Sequence, residues 1–333
     1  MTTIVIATPH AVLVVRQGPE WTVDAHLGGL KAQAVAVDEF GGRLYVGTSG
    51  KGLFRSVDGG RSWQEATFPH DDITAVGVQD NVQKGGGVVY AGTSPSTFWR
   101  SPDGGDNWQE MTAMVALPSA SEWSFPPQPH THHVRWIEPD PNVAGKLYVA
   151  IEAGALLRAE DGGQTWRDRV PDGPYDTHTA ATHHEAAGRV YSAAGDGYYE
   201  SADGGQSWSR LMDGLQHRYL VGVAVDPGDA DTVVVSAARG PSVSYHASGA
   251  EAYVYRKSAG GPFELVMDGL PPAEGTVASQ FATHVAESGV FYAANNHGLF
   301  RSENAGRSWQ ALPIDWPEGV FRNRVNGVVV FRE

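Results

Sequence analysis

Ser56-Val-Asp58-Gly-Gly-Arg-Ser-Trp63 is a polar stretch that ends on an aromatic ring, and the chain repeats it. The further copies are Ser101-Pro-Asp103-Gly-Gly-Asp-Asn-Trp108, Ala159-Glu-Asp161-Gly-Gly-Gln-Thr-Trp166, Ser201-Ala-Asp203-Gly-Gly-Gln-Ser-Trp208 and Ser302-Glu-Asn304-Ala-Gly-Arg-Ser-Trp309. The first four Trp residues recur at roughly 45-residue intervals, a period that belongs to repeat architectures. The interval before Trp309 is twice as long, and a decayed copy lies inside it, Lys257-Ser-Ala-Gly-Gly-Pro-Phe263. A second decayed copy, Arg16-Gln-Gly-Pro-Glu-Trp21, lies one period before Trp63, which makes seven units.

Each unit has one internal order. An apolar run comes first, such as Ala34-Val-Ala-Val37, followed by a Gly, Asp or Pro turn. A β-rich run comes next, such as Leu44-Tyr-Val-Gly47 or Val89-Tyr-Ala-Gly92. A third run leads into the Asp block, and its Trp opens a fourth. Four short strands per repeat of this length describe the blade of a β-propeller. The chain opens on Ile4-Val-Ile-Ala7, which matches a second strand, whereas Val325-Asn-Gly-Val-Val-Val330 near the C-terminus matches a first strand. One blade is therefore expected to be shared by both termini, which leaves no open sheet edge. The expected fold is all-β: a single seven-bladed propeller over 1–333 with four-stranded antiparallel blades. The blades fall near 33–68, 73–112, 132–170, 178–212, 219–268 and 279–312, with a composite of 4–25 and 323–332.

Composition narrows the function. A formal charge of −14 in 333 residues argues against nucleic acid and anionic membranes as partners. No run of 18 apolar residues reads as a membrane helix. The apolar start lacks a basic segment before it and fits the composite blade, so no signal peptide is read and the cytoplasm is the default location. Secretion from a trimmed precursor also fits. With no cysteine, disulfides and thiol chemistry are excluded. A monomer is expected.

The Ser-x-Asp-x-Gly-x-Ser/Thr-Trp pattern resembles the bacterial neuraminidase repeat, or Asp box, of sialidase-like propellers. The resemblance covers a turn in five of seven blades and implies architecture rather than activity. The same turn occurs in sialidases, xyloglucanases, sortilin-like receptors and photosystem assembly factors. Asp58, Asp103, Asp161, Asp203 and Asn304 are read as turn residues that accept backbone N–H bonds, with Gly supplying positive φ and Trp packing between blades. Sialidases grip a substrate carboxylate with three Arg residues and use a Tyr nucleophile with a Glu partner and an Asp acid/base. This chain departs from them, because it has no Arg-Ile-Pro near the start and its first Arg is Arg16. A single propeller also lacks the two-propeller cleft of xyloglucanase-like enzymes.

Sites on propellers usually lie at the rim opposite the Asp turns, where loops enter the innermost strand or join the second strand to the third. His26, His70, His130, His132, His133, His178 and His217 precede or begin innermost strands. His10, His246 and His297 fall in second-to-third strand loops, whereas His183, His184 and His284 fall in the opposite turns. Pro129-His130-Thr-His132-His133 closes the longest insertion, about 113–131, which carries Trp123 and Phe125; long loops of this kind are often functional. Imidazoles converging at the channel suit one divalent transition metal, Zn²⁺, Mn²⁺, Fe²⁺ or Cu²⁺. His130, His132, His133 and His178 are the candidate ligands, with Asp176 or Asp196 as a nearby carboxylate. Proton transfer falls to His178, Asp176, His217, Tyr219 and Tyr245. A second insertion, about 237–252, brings Arg239, Tyr245 and His246. Arg218, Arg239, Arg322, Arg324, Trp123, His246 and His297 are the candidate substrate contacts, with Arg135 a further cation.

Three readings follow. The first is a propeller that binds or acts on glycans. The second is a His-based or metal-assisted hydrolase or lyase acting on a small anionic molecule or saccharide. Some polysaccharide lyases are propellers with a His-bound metal or a His/Tyr acid–base pair, and the rim here is similar to theirs in residue types. The third is a scaffold for protein interaction or assembly, without catalysis.

Overall fold

Short β-branched runs separated by Gly-rich turns form strands that cannot bury their faces alone, and they stack into a ring. The computed structural model describes residues 1–80, 86–321 and 323–332. Arg322, a candidate substrate contact, lies outside the described residues.

The chain opens with β1 (Thr2–Ala7), β2 (Val12–Gln17) and β3 (Trp21–His26). The next blade is β4 (Lys31–Asp38), β5 (Arg43–Ser49), β6 (Leu53–Ser56) and β7 (Gln64–Glu65). Then come β8 (Ile73–Gln79), β9 (Val88–Thr93), β10 (Phe98–Ser101) and β11 (Gln109–Glu110), followed by β12 (Val134–Pro139), β13 (Leu147–Ile151) and β14 (Ala155–Ala159). The fourth strand of this last blade is reduced to one bridge between Arg158 and Arg167. Two further blades are β15 (Thr177–Thr182), β16 (Val190–Ala194), β17 (Gly197–Ser201) and β18 (Ser209–Arg210), then β19 (Tyr219–Asp226), β20 (Asp229–Ala238), β21 (Ala252–Lys257) and β22 (Glu264–Leu265). The last are β23 (Gln280–Ala282), β24 (Phe291–Asn295), β25 (Gly298–Ser302) and β26 (Gln310–Ala311), before the closing β27 (Gly327–Arg332).

The seven antiparallel sheets form a seven-bladed β-propeller, with the shared blade ordered β27-β1-β2-β3. Ile4 pairs with Val330 on one side and Val15 on the other, so the first and last strands close the ring. Inner strands touch in the cycle β4, β8, β12, β15, β19, β23, β27 and back to β4. Among the described residues, helix is limited to short 3-10 turns at 112–116, 118–122 and 241–243, in the two insertions. No described helix is long and apolar enough to cross a membrane.

The repeated turns hold neighbouring blades together. Ser56 Oγ donates to Asp58 Oδ1 at 2.7 Å and accepts from the Gly60 N–H at 2.9 Å, while Asp58 Oδ1 accepts from the Ser62 N–H at 2.9 Å. The copies at Asp103 and Asp203 repeat these bonds, and at Asp161 the carboxylate bonds to Thr165 survive. The preceding blade reaches across to the turn's own carbonyls. Arg16 donates to Gly59 O at 2.9 Å, Arg55 to Gly104 O at 2.8 Å and Arg256 to Ala305 O at 2.5 Å. The buried second-strand Tyr45 also donates to Gly104 O, at 3.0 Å. Trp108 and Trp166 pack edge-on against Phe68 and Phe98 of the blade before, closing the apolar seams.

One backbone feature positions the rim. Five inner strands carry a register irregularity near their entrance: between Ala32 and Ala34, Ile73 and Ala75, Val134 and Trp136, Thr177 and Thr179, and Leu220 and Gly222. The unpaired residue is Gln33, Thr74, Arg135, His178 or Val221. A bulge re-aims the side chain it leaves unpaired, and three of the five, Gln33, Thr74 and Arg135, line the cavity at this mouth.

Candidate functional site

The mouth opposite the Asp turns holds a cavity of about 680 Å³, within the size range of small-molecule sites. Its walls come from strand entrances, second-to-third strand loops and both insertions. Phe125, Pro126 and Pro127 form an apolar side, and Pro241, Tyr245 and His246 of the second insertion face into it as well. Below, a narrower channel of about 220 Å³ shares Gln33, Thr74, Arg135 and Asn326 with the cavity and continues to Glu138.

Glu152 organises the floor. It directly follows β13, just before a left-handed residue, Ala153 at φ 44°, and its side chain lines the mouth. His133 Nε2 lies 3.0 Å and Arg135 Nε 3.3 Å from Glu152 Oε2. Burial works to raise the Glu152 carboxyl, but the hydrogen bond from His133 and the charge of Arg135 outweigh it and hold it at about 2. Phe125 packs edge-on against His133, with ring centres 4.7 Å apart.

Beside it, Asp176 is pinned from both sides. Its Oδ1 accepts from the Ala153 N–H at 2.8 Å, and its own N–H donates to Asp196 Oδ1 at 3.2 Å. His178, fully buried, stands with Nε2 3.6 Å from Asp176 Oδ2. Its Nδ1 lies 2.5 Å from the carbonyl of Leu220 in the next blade. A carbonyl only accepts, so Nδ1 carries the hydrogen and Nε2 presents a lone pair whenever it is unprotonated. Tyr219 Oη lies 3.2 Å from that Nε2 and 3.1 Å from Tyr245 Oη. Burial raises both phenols, so they are proton donors at neutral pH.

Arg324 completes the wall, its guanidinium 5.5 Å from the centre of the Tyr245 ring. Burial lowers its pKa, and the like charge of Arg135 lowers it further, so two guanidinium groups face one region of the cavity. Glu152 attracts Arg324 from farther off, but among the described residues no carboxylate lies within ion-pair distance of it.

Asp176, His178, Tyr219, Tyr245, His133, His246 and Arg324 thus gather at or under one mouth. Several other candidates do not. The connection from β18 to β19 passes over β21, and His217 is left stacked on Tyr253 at 3.9 Å with Nδ1 2.6 Å from Tyr255 Oη, away from the cavity. Arg218 is exposed beside it. Arg239 pairs with Glu251 at 3.0 Å and is 70% exposed, while His297 is exposed at a loop tip. Trp123 is core rather than cavity wall. It is 6% exposed and donates to Ser119 Oγ at 2.9 Å, because the 3-10 turns fold the insertion back onto the blade.

The four histidines proposed as metal ligands also separate. His130 is exposed, His132 packs edge-on against Trp123 at 5.5 Å, and His133 is engaged by Glu152. Among the described residues, ligand atoms of Glu152, Asp176 and His178 lie within 4.8 Å of one another, so of the four only His178 belongs to a group that could hold an ion. Glu152 was missed in the sequence. Its one signal was its place in a second-to-third strand loop.

No protein-family model matches the chain, and no curated protein matches it in sequence. Solved structures do share its fold. The GH74 xyloglucanase from Xanthomonas campestris superposes with a TM-score of 0.67 at 16% identity, over 93% of this chain and 52% of its own. YCF48 bound to D1 peptide gives 0.58 at 15% identity, over 89% and 88%. The WD40 β-propeller domain of Doa1 gives 0.61 at 11%, over 92% and 91%. The chain spans about half the length of the xyloglucanase, and 38% of an ancestral GH74 enzyme that it also matches. At these identities the likeness establishes a seven-bladed β-propeller and no activity.

Proposed function

We propose that this propeller binds a small carboxylate-bearing molecule of saccharide size at the channel mouth and acts on it as a hydrolase or lyase. The observation that carries the reading is Arg324, a guanidinium facing the cavity beside Arg135 with no carboxylate at ion-pair distance among the described residues. A half-buried guanidinium that lines the cavity keeps its donors for an anion there, and a planar fork favours a carboxylate. Tyr245 and Tyr219 stand where a proton can be delivered to a molecule held there. The GH74 neighbours act in the same direction, as propellers named for glycan chemistry.

Calorimetric titration of the full chain with D-glucuronate, D-galacturonate and their neutral parent sugars tests this. The acidic sugars bind, the neutral ones do not, and Arg324→Gln abolishes the preference while His297→Ala retains it. Equal binding of neutral and acidic sugars, or retention of the preference in Arg324→Gln, overturns the reading.

A second reading is an interaction scaffold. It is favoured by the Phe125-Pro126-Pro127 wall and by the YCF48 neighbour, whose structure holds a peptide. A peptide's C-terminal carboxylate would use the same two arginines, so peptides ending in a free or an amidated carboxyl group separate this reading from the first.

A further inference from the structure

We infer that Glu152, Asp176 and His178 form a binding site for one divalent cation of the Mn²⁺ or Zn²⁺ type. This goes beyond the anion reading and does not depend on which anion binds.

Three lone-pair donors converge here with little to satisfy them. Glu152 meets His133 and Arg135 through Oε2, which leaves Oε1 without a hydrogen bond from any described residue. Asp176 uses Oδ1 for the Ala153 N–H, and its Oδ2 likewise accepts no hydrogen bond among the described residues. His178 Nε2 has one hydroxyl near it, Tyr219 Oη at 3.2 Å. The ligand atoms lie within 4.8 Å of one another, close enough for a single ion with bonds of about 2.0–2.2 Å after small side-chain adjustments.

The surroundings support a ligand role for His178. The Leu220 carbonyl takes the Nδ1 hydrogen and fixes the ring, the outer contact that metal-ligating histidines commonly make. The ring is fully buried and sits at the β15 bulge, so its aim is set by backbone. Asp176 is held in turn by the Ala153 and Asp196 contacts. One imidazole and two carboxylates suit borderline to hard divalent ions, with open positions toward the cavity. Glu152, shared with Arg135, and Asp176 bring negative charge to a dication, and Arg324, which no carboxylate pairs at contact distance, is placed to hold an anion bridging to it.

The test uses metal alone. Chelator-stripped full-length protein is titrated with MnCl₂ by paramagnetic resonance and with ZnCl₂ by calorimetry. One ion binds per chain. Glu152→Gln and Asp176→Asn, both near-isosteric, each weaken binding by at least ~10-fold, the smallest loss seen even for outer-contact residues. His217→Ala, remote from the group, binds as wild type does. Circular dichroism confirms that each variant is folded. If folded wild type takes up neither ion, or the Glu152→Gln, Asp176→Asn double variant binds as wild type does, the site does not exist. Arg324→Gln separates the two proposals, because it loses the acidic sugar and keeps the metal.

Discussion

His178 and Leu220 belong to the inner strands of neighbouring blades, and the Nδ1 nitrogen of the first lies 2.5 Å from the carbonyl oxygen of the second. The contact ties two blades at the cavity floor and decides which ring nitrogen is available to the site. It predicts that His178 carries its hydrogen on Nδ1 and that Tyr219 donates to Nε2. Nitrogen-15 spectra of labelled imidazoles check this. The Nδ1–H tautomer is expected in wild type and in Tyr219→Phe, which removes the hydroxyl donor and leaves the Leu220 contact intact. An Nε2–H tautomer in either protein would contradict the assignment.

The repeated turn contains its own control. At Asn304 the amide keeps the carboxylate's bonds: Ser302 Oγ donates to Oδ1 at 3.0 Å, the Ser308 N–H donates to Oδ1 at 3.0 Å, and Nδ2 donates to Ser308 Oγ at 2.8 Å. Asp58→Asn should therefore cost well under ~1 kcal/mol at neutral pH. Asp58→Ala removes the acceptor for Ser56 and Ser62 and should cost ~0.5–1.5 kcal/mol in denaturant unfolding. The slight burial of Asp58 acts to raise its carboxyl, but the bonds from Ser62 and Ser56 outweigh it and hold it at about 2. Its folded pKa is depressed, so its contribution is complete above the unfolded value near 3.8 and fades as pH falls through about 2. Asp58→Asn removes that acid sensitivity, which unfolding between pH 5 and 2 would record.

The blades were legible because Ser56–Trp63 and its copies mark one turn at a fixed place, and because Ile4 and Val330 announce complementary strands. The rim was legible too, since loop position along the repeat assigns a side of the ring. Side-chain aim was not. Arg135 and His178 sit at bulges, which leave no trace in a two-residue alternation and turn a residue from one face to another. Trp123 reads as an exposed aromatic in a long loop until the 3-10 turns fold it onto Ser119. His217 reads as a channel residue until its connection crosses Tyr253. Glu152 carries no motif, and its importance comes from His133 and Arg135, which flank the Val134–Ile151 strand pair and are brought to face it by the bulge at Arg135.

The one repeated turn with Ala in place of its first Gly is strained. Ala305 holds φ 58°, where Gly59, Gly104, Gly162 and Gly204 hold 69°, 72°, 74° and 73°. A Cβ in the left-handed region costs ~1–2 kcal/mol, against which a new glycine adds ~0.4–1 kcal/mol of freedom to the unfolded chain. Ala305→Gly is therefore expected to stabilise by ~0.5–1 kcal/mol, with the Arg256 to Ala305 carbonyl bond preserved. Urea unfolding of the variant beside wild type gives the sign directly, and a loss of stability would show that the methyl group packs favourably.

Glu138 is the titrating group of the channel. It lies on β12, where its Oε1 accepts from the Thr182 N–H at 3.0 Å and Oγ1 at 2.9 Å, and Oε2 accepts from Trp136 Nε1 at 3.2 Å. Burial raises the carboxyl most. The Thr182 and Trp136 bonds pull it partly back, Asp140 pushes it up again, and the result is about 7 against an ordinary 4.5. The folded protein thus holds this proton more tightly than the unfolded chain does. The stabilisation is fully present below about 4.5, declines as pH rises, and is lost once pH passes about 7. At ~1.4 kcal/mol per pH unit, the difference between the two ends is about 3 kcal/mol. Glu138→Gln keeps an acceptor for Thr182 and removes the titration. Urea unfolding at pH 5 and pH 8 should show the variant losing less stability than wild type across that interval, with most of the divergence between pH 5 and 7. Parallel curves would mean that water in the channel solvates Glu138 and that its carboxyl titrates near the ordinary value.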